Sequence, residues 1–275
     1  MTGLVTMDEI SHLSESVERA VLADLHPAAP EETRHLLGLR LEIIGTALVS
    51  VARHEPNILL NRTIGLGVEA PDVRETVTAI ASRYAENGVE RYFLHLHPDA
   101  QPPELRDWII RAGLVRYRGW VKFHRDPIAP PELRSELRVQ RISAEHATAF
   151  GRIAAEGFDL SEMAIPLLAS LADRPGWYLY MSFAGDTPAG TGAMFIRDGA
   201  AWLDLGATLP AYRGRGGQGV VLSRRIRDAL DLGCQTLLTT TGEEVEGDPQ
   251  HSYKNIVRSG FRPFYVRENF VLSRE

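Results

Sequence analysis

The chain has one cysteine, Cys234, among its 275 residues. That excludes an internal disulfide and any zinc site built on several cysteines, and it fits a reducing cytoplasm. Long apolar runs are also missing. None approaches the ~18 residues that a membrane-spanning helix needs, so no membrane span is expected. Residues 1–18 (MTGLVTMDEISHLSESVE) lack a basic start, an apolar block and a small-residue cleavage site, so no secretory signal is expected. A basic excess is absent too: the formal charge is −6, and both halves carry more acidic than basic residues. Generic nucleic-acid binding, which neutralises phosphates with clustered Lys and Arg, is therefore not expected. Lysine is nearly absent, with only Lys122 and Lys254, and arginine supplies the remaining positive charge. That bias carries no function of its own.

What is present is globular in character. Hydrophobic residues make up 44% and charged residues 24%, so a packed core is expected rather than disorder. The length suits two domains of ordinary size. The segment Asp126-Pro127-Ile128-Ala129-Pro130-Pro131 has prolines without glycine, which makes a stiff, extended connector. The expected division is a domain over 1–127, a linker over 128–134 and a second domain over 135–275. Each half also ends alike. Ile109-Ile110-Arg111-Ala112-Gly113-Leu114 precedes VRYRGWVKFHRD, and Ile256-Val257-Arg258-Ser259-Gly260-Phe261 precedes RPFYVRENFVLSRE. A helix, a glycine and a long β-rich tail thus occur twice, which favours internal duplication.

In the first half, helices are expected over 7–25 and 30–44, the second striped by Leu36, Leu37, Leu39, Leu41 and Ile44. Strands follow at 46–52 and 62–68, then a helix over 71–87 closed by Gly88, a strand at 92–97, a helix over 103–112 and the terminal strand. The second half reads as a strand (137–142), two helices (144–157 and 161–172) and three strands (177–184, 189–197, 201–208). Turn pairs Gly185-Asp186 and Asp198-Gly199 join those strands into an antiparallel meander. A glycine-rich loop, a helix ending at Leu232, a strand at 236–241, a helix over 250–259 and final strands complete it. The expected class is α/β, with a mixed, mostly antiparallel twisted sheet flanked by helices.

The chemistry concentrates in Tyr212-Arg213-Gly214-Arg215-Gly216-Gly217-Gln218-Gly219. Glycines at four of six positions let the backbone turn tightly with its N–H groups facing one way. The helix that follows puts Leu222, Ile226, Ala229 and Leu230 on one face, with Arg224, Arg225 and Arg227 elsewhere. Free N–H groups at a helix start make an anion site, and Arg213 and Arg215 add charge, so the segment suits a pyrophosphate. A Walker loop is excluded because Val220-Val221, not Lys-Ser/Thr, follows the last glycine. A dinucleotide fingerprint is disfavoured by the antiparallel meander ahead of it. A plain structural turn is the alternative.

The stretch ATLPAYRGRGGQGVVLSRRI resembles motif A of the GCN5-related N-acetyltransferase family, whose core reads Q/R-x-x-G-x-G/A. The match runs through Arg213, Gly214, Arg215, Gly216 and Gly217, with Gln218 where the family usually has Gly or Ala. Residues 252–261 (SYKNIVRSGF) resemble motif B with its closing Gly-Phe. The resemblance covers roughly 137–274. It implies an acyl-CoA N-acyltransferase type of fold, with two such domains in tandem and the first degenerate. It implies acetyl-CoA as co-substrate, no metal, and direct transfer of the acetyl group to a primary amine of a small molecule or peptide. By motif position, Ala207, Thr208 and Leu209 face the pantetheine and thioester, Arg213, Gly214, Arg215, Gly216, Gly217, Gln218 and Gly219 wrap the pyrophosphate, and Asn255 reaches the pantetheine or thiol end. A homodimer is allowed; membrane and nucleic acid are not expected as partners.

The sequence departs from the family at Ile256, where a tyrosine acting as general acid is usual; Tyr253 and Tyr265 do not fill the matching place. A non-catalytic acyl-CoA-binding protein of the same fold is therefore the alternative function, and a tandem enzyme moving an aminoacyl or longer acyl group a third. Asp204, alternating with Gly206 and Thr208, is the one candidate base, with a strand aspartate bonded to its neighbours as the plainer reading. His95 and His97 share a strand face at a spacing that can chelate a metal, but no third ligand is evident and a half-exposed strand explains them. Gly65-Leu66-Gly67 holds the first half's equivalent of the glycine loop without its arginines. Cys234 reads as a small buried hydrophobe.

Overall fold

The computed structural model describes residues 6–273. Met1–Val5 of the signal-free leader reading and Arg274-Glu275 of the terminal strand lie outside them. The elements are α1 (Met7–Ala28), α2 (Glu31–Leu37), β1 (Leu39–Ile44), β2 (Ala47–Ala52), β3 (Arg62–Ile64), α3 (Arg74–Glu86), β4 (Phe93–Leu96), α4 (Leu105–Arg111) and β5 (Leu114–Arg125). Then come β6 (Arg138–Arg141), α5 (Ala147–Gly157), α6 (Ile165–Ala169), β7 (Trp177–Ala184), β8 (Thr187–Arg197), β9 (Ala200–Thr208), α7 (Gly217–Asp231), β10 (Thr236–Gly242), α8 (His251–Arg258) and β11 (Arg262–Leu272).

Contacts divide the chain into two compact units. One contains residues 1–26, 34–121 and 265–275; the other contains 27–33 and 122–264. The same order recurs in each. β1, β2 and β3 pair antiparallel, and β3 pairs parallel with β4 across α3. β7, β8 and β9 pair antiparallel, and β9 pairs parallel with β10 across α7. A short helix and a long strand follow each time. The duplication is therefore one of topology: two mixed α/β units in tandem.

The first unit buries Val49, Val51, Val77, Ile80, Tyr84, Tyr92, Leu94, Ile109 and Phe270 in one core, with Trp108 packed against it. Phe270 belongs to the last strand. Glu268, Asn269 and Phe270 pair antiparallel with Leu96, His95 and Leu94, so β11 completes the sheet of the unit made first. Arg267, fully buried, bonds Glu15 and Glu18 of α1; Arg62 also bonds Glu18, and Trp120 lies within 5.6 Å of both guanidinium carbons. Burying these charges is tolerable because each carboxylate meets a guanidinium and hydrogen bonds.

Four expectations change here. The helix expected over 30–44 stops at Leu37 because Gly38 takes φ +62°, and residues 39–44 instead pair with 47–52 through a turn at Gly45. The apolar stripe fitted a strand once the glycine broke the run. The strand expected over 62–68 ends at Ile64, where Gly65 and Gly67 take positive φ. The final strands are one strand, β11. His95 and His97 are buried rather than half-exposed. His95 Nδ1 is 2.7 Å from Asn269 Oδ1, and His97 Nε2 is 2.7 Å from Ser11 Oγ. Among the described residues no group of three or more His, Cys, Asp or Glu is arranged to hold a metal, and no helix is long and apolar enough to cross a membrane.

In the second unit the strands run β10-β9-β8-β7-β6. Asp198 and Gly199, both at positive φ, make the β8–β9 turn in the hand that suits a twisted hairpin. Trp202, Tyr180, Phe183 and Phe150 are fully or almost fully buried there, together with Val221, Leu222, Ile226 and Ala229 of α7. Cys234 is buried, which pushes its thiol up from the ordinary value, as suits a packing role.

Candidate active site

The site begins with an irregularity in β9. Thr191 faces Ala207, but two positions on, Ala193 faces Asp204, so β9 carries one extra residue. Leu205 at the bulge takes φ +50°, an uncommon conformation for a branched side chain. The bulge frees carbonyls from the ladder, and a buried arginine takes them. Arg225 Nη1 donates to Ala193 O and to Asp204 O at 2.9 Å each. The sequence put it off the apolar face of α7, yet it is buried, and desolvation lowers its guanidinium to about 10. Gly192 makes room, since a Cβ there would sit 2.9 Å from the guanidinium carbon.

Beyond the bulge β9 and β10 part. Their pairing runs from Thr236 with Ala200 to Thr239 with Leu203, and no register pair follows among the described residues. The β10-facing edge of Gly206, Ala207 and Thr208 thus opens onto a cleft of about 640 Å³. The cleft's lining also includes Arg213, Gly214, Gly216, Gly217, Gln218, Gly219 and Asn255. Nine of the eleven expected binding residues, Ala207 and Thr208 among them, therefore meet at one place. Leu209, Arg215 and Asp204 do not line it. The Leu209 amide bonds Ala189 O, and the Arg215 guanidinium carbon lies 5.4 Å from the Tyr212 ring. Asp204 accepts from the Leu205 amide at 2.7 Å and from Trp202 Nε1 at 3.1 Å. Both its oxygens hold the bulge in place.

The glycine loop enters α7 through Gly216 at φ +76°, with no side-chain cap. The first helical bond runs from Val220 N to Gly216 O. The amides of Gly217, Gln218 and Gly219 precede it and are left without helical partners, as at any helix start. With the helix dipole they form an anion site. Gln218 has a structural reason to replace the usual small residue: its Nε2 donates to Thr208 Oγ1 at 3.0 Å and ties the end of β9 to the start of α7. Across the cleft, a Cβ on Gly157 would collide with Ala207.

From α8 come His251, Ser252, Asn255, Arg258 and Ser259. Apart from Asn255, these were missed, yet positions four and three before Asn255 and three and four after it share its helical face. The position where a tyrosine is usual, Ile256, is buried away from the cleft. Tyr253 stands edge-on to Phe123 at 5.1 Å, and Tyr265, which belongs to the first unit, donates its hydroxyl to Glu15 of that same unit. The cleft's hydroxyl and imidazole groups are Tyr212, Thr208, Ser252, Ser259 and His251. Leu133 and Arg134 also line it and were read only as linker.

The first unit's counterpart loop is closed by its own chain. The Asp72 carboxylate accepts from the Gly67 amide at 2.9 Å and from the amide and hydroxyl of Thr46. A carboxylate thus takes the donors that an anion would need.

A tandem pair of units, each an antiparallel sheet turning parallel across a helix, with a glycine-framed helix start beside a parted strand pair in the second, is the fold of the GCN5-related N-acetyltransferases. No family model and no curated protein matches the chain. Among solved structures it is similar to a GCN5-related N-acetyltransferase from Kribbella flavida, with TM-score 0.65 and 17% identity over 95% of this chain and 96% of that one. It is also similar to a tandem GNAT protein from the clavulanic acid biosynthesis pathway, with TM-score 0.58 and 14% identity over 85% and 81%. A third is a GCN5-related N-acetyltransferase from Sphaerobacter thermophilus, with TM-score 0.59 and 14% identity over 82% and 80%. At such identities the likeness is one of fold.

Proposed function

We propose that the chain is an N-acetyltransferase whose cleft takes acetyl-CoA and presents its thioester to the primary amine of a small molecule or peptide in the cytoplasm. The observation that carries the reading is one cleft holding both unpaired amides framed by glycines and the freed edge of β9. The amides of residues 217–219 suit the pyrophosphate. The β9 edge at 206–208 suits the pantetheine, and a strand N–H there polarises the thioester carbonyl as charge develops on its oxygen. The amine nitrogen bonds to the carbonyl carbon, the carbon–sulfur bond breaks, CoA leaves as thiolate, and the amine loses a proton. Asn255 lies on the cleft wall that would meet the pantetheine or thiol end.

The experiment is thiol release from acetyl-CoA against a panel of small amines and peptides with free amino groups. Release with at least one acceptor class is the expected result. A second reading, acyl-CoA binding without transfer, is favoured by the burial of Ile256 where a proton donor is usual. Calorimetric binding of acetyl-CoA with no thiol release across the panel would select it. No binding of acetyl-CoA or CoA would end both readings.

A further inference from the structure

The proline-rich connector segment, which lies inside the second unit, is part of the cleft. Its beginning is held by Arg125, a buried guanidinium that donates to the carbonyls of Asp126, Ile128 and Ala129 and, through Nε at 2.9 Å, to Ser259 O at the end of α8. Its end is held by Ser135, whose hydroxyl donates to Arg215 O at 2.7 Å and accepts from the Leu137 amide at 3.0 Å. Between these clamps the connector lies directly against the glycine loop. A Cβ on Gly216 would come within 3.1 Å of Arg134 O, one on Gly217 within 2.8 Å of Leu137 Cδ1, and one on Gly219 within 3.0 Å of Leu133 Cδ1. Gly216 and Gly217 are therefore held close by this segment, whereas Gly219 meets only the end of the exposed Leu133 side chain.

The charge of the cleft points the same way. Its lining holds three arginines, Arg134, Arg213 and Arg258, and no aspartate or glutamate. Arg213 is engaged through Nε with Thr208 O. Arg134 has no hydrogen-bond or ion-pair partner among the described residues. We propose that the connector carries a phosphate-binding residue: Arg134 engages a phosphate group of the CoA ligand beside the amides of residues 217–219. The inference rests on the acyl-CoA reading of this cleft. A guanidinium suits the role because its planar fork matches two phosphate oxygens and is always charged.

The test is calorimetric titration of acetyl-CoA and of 3′-dephospho-CoA into the wild type, Arg134→Gln and Arg134→Lys. Arg134→Gln is expected to weaken acetyl-CoA about tenfold, as loss of one charge-assisted contact does, and Arg134→Lys to recover part of that loss. Unfolding of the unliganded variants is expected to match the wild type. If the loss vanishes with 3′-dephospho-CoA, the contact is to the 3′-phosphate; if it persists, the contact is to the pyrophosphate. Either supports the proposal. Wild-type affinity in Arg134→Gln, within twofold for both ligands, overturns it. A wild type that binds neither ligand removes the acyl-CoA reading and this inference with it.

Discussion

Replacing Gly219 by glutamate separates the fold of the glycine loop from its binding chemistry. Gly219 is the third residue of α7 and does not take positive φ. A glycine inside a helix costs roughly 0.5–1 kcal/mol relative to alanine. An acidic side chain in the first turn adds about 0.3–1 kcal/mol from the dipole. The one obstacle is Leu133 Cδ1, 3.0 Å from the new Cβ, and that is the end of a partly exposed side chain free to turn away. Unliganded Gly219→Glu should therefore unfold at or slightly above the wild-type temperature, by up to about 2 kcal/mol. Ligand binding should move the other way. Acetyl-CoA at ~100 times its dissociation constant stabilises a native protein by about 2.7 kcal/mol, and each kcal/mol moves the midpoint by roughly 2–4 °C at this size. The wild type should thus gain roughly 5–11 °C. The variant, with a carboxylate where the pyrophosphate is to sit, should gain almost nothing. Differential scanning calorimetry of both proteins, with and without ligand, reads all four values. An equal ligand shift in the variant would refute the assignment of this helix start to phosphate. A lower unliganded midpoint would refute the account of its packing.

Arg225→Met keeps most of the side chain's volume but leaves Ala193 O and Asp204 O without their donor. At about 1–3 kcal/mol per stranded carbonyl, urea unfolding should show a loss of about 2–6 kcal/mol. A variant as stable as the wild type would mean that relief of the buried charge outweighs both bonds. His26 is an acid-sensitive point of the first unit. Burial, then the charge of Arg62, lowers its pKa from 6.5 to about 4. The unfolded chain therefore binds the extra proton first, and stability present above pH 6.5 is lost as the pH falls toward 4, by about 3 kcal/mol in all. Urea midpoints at pH 7 and pH 4.5 should fall less in His26→Gln than in the wild type, and equal falls would remove His26 from the account.

Local chemistry was legible wherever glycine and turn pairs fixed the backbone. Asp198-Gly199 made its hairpin, and the glycine loop opened α7 as read. The 30–44 segment failed because its leucine spacing was compatible with both periods, and only Gly38 decided between them. Arg225 was misplaced because its burial depends on a bulge in β9 that no side-chain pattern announces. Arg134 was invisible for a different reason: a proline-rich connector reads as a spacer, and nothing in its text shows that it lies against the loop 80 residues on. The missed α8 residues needed only the helical spacing from Asn255.

The last strand imposes an order of events on synthesis. Residues 265–272 supply an edge partner for β4, a core side chain at Phe270 and, in Arg267, the counter-charge for Glu15 and Glu18. Roughly 140 residues separate Val121 from Tyr265, about 7–30 s of translation at about 5–20 residues per second. For that interval the amino-terminal unit waits with an unpaired strand edge and acidic groups short of a guanidinium, while the later unit can already condense. Of the two units, the one begun first finishes last, so a ribosome stalled before residue 265 would hold a chain in which the second unit can fold while the first is an aggregation hazard.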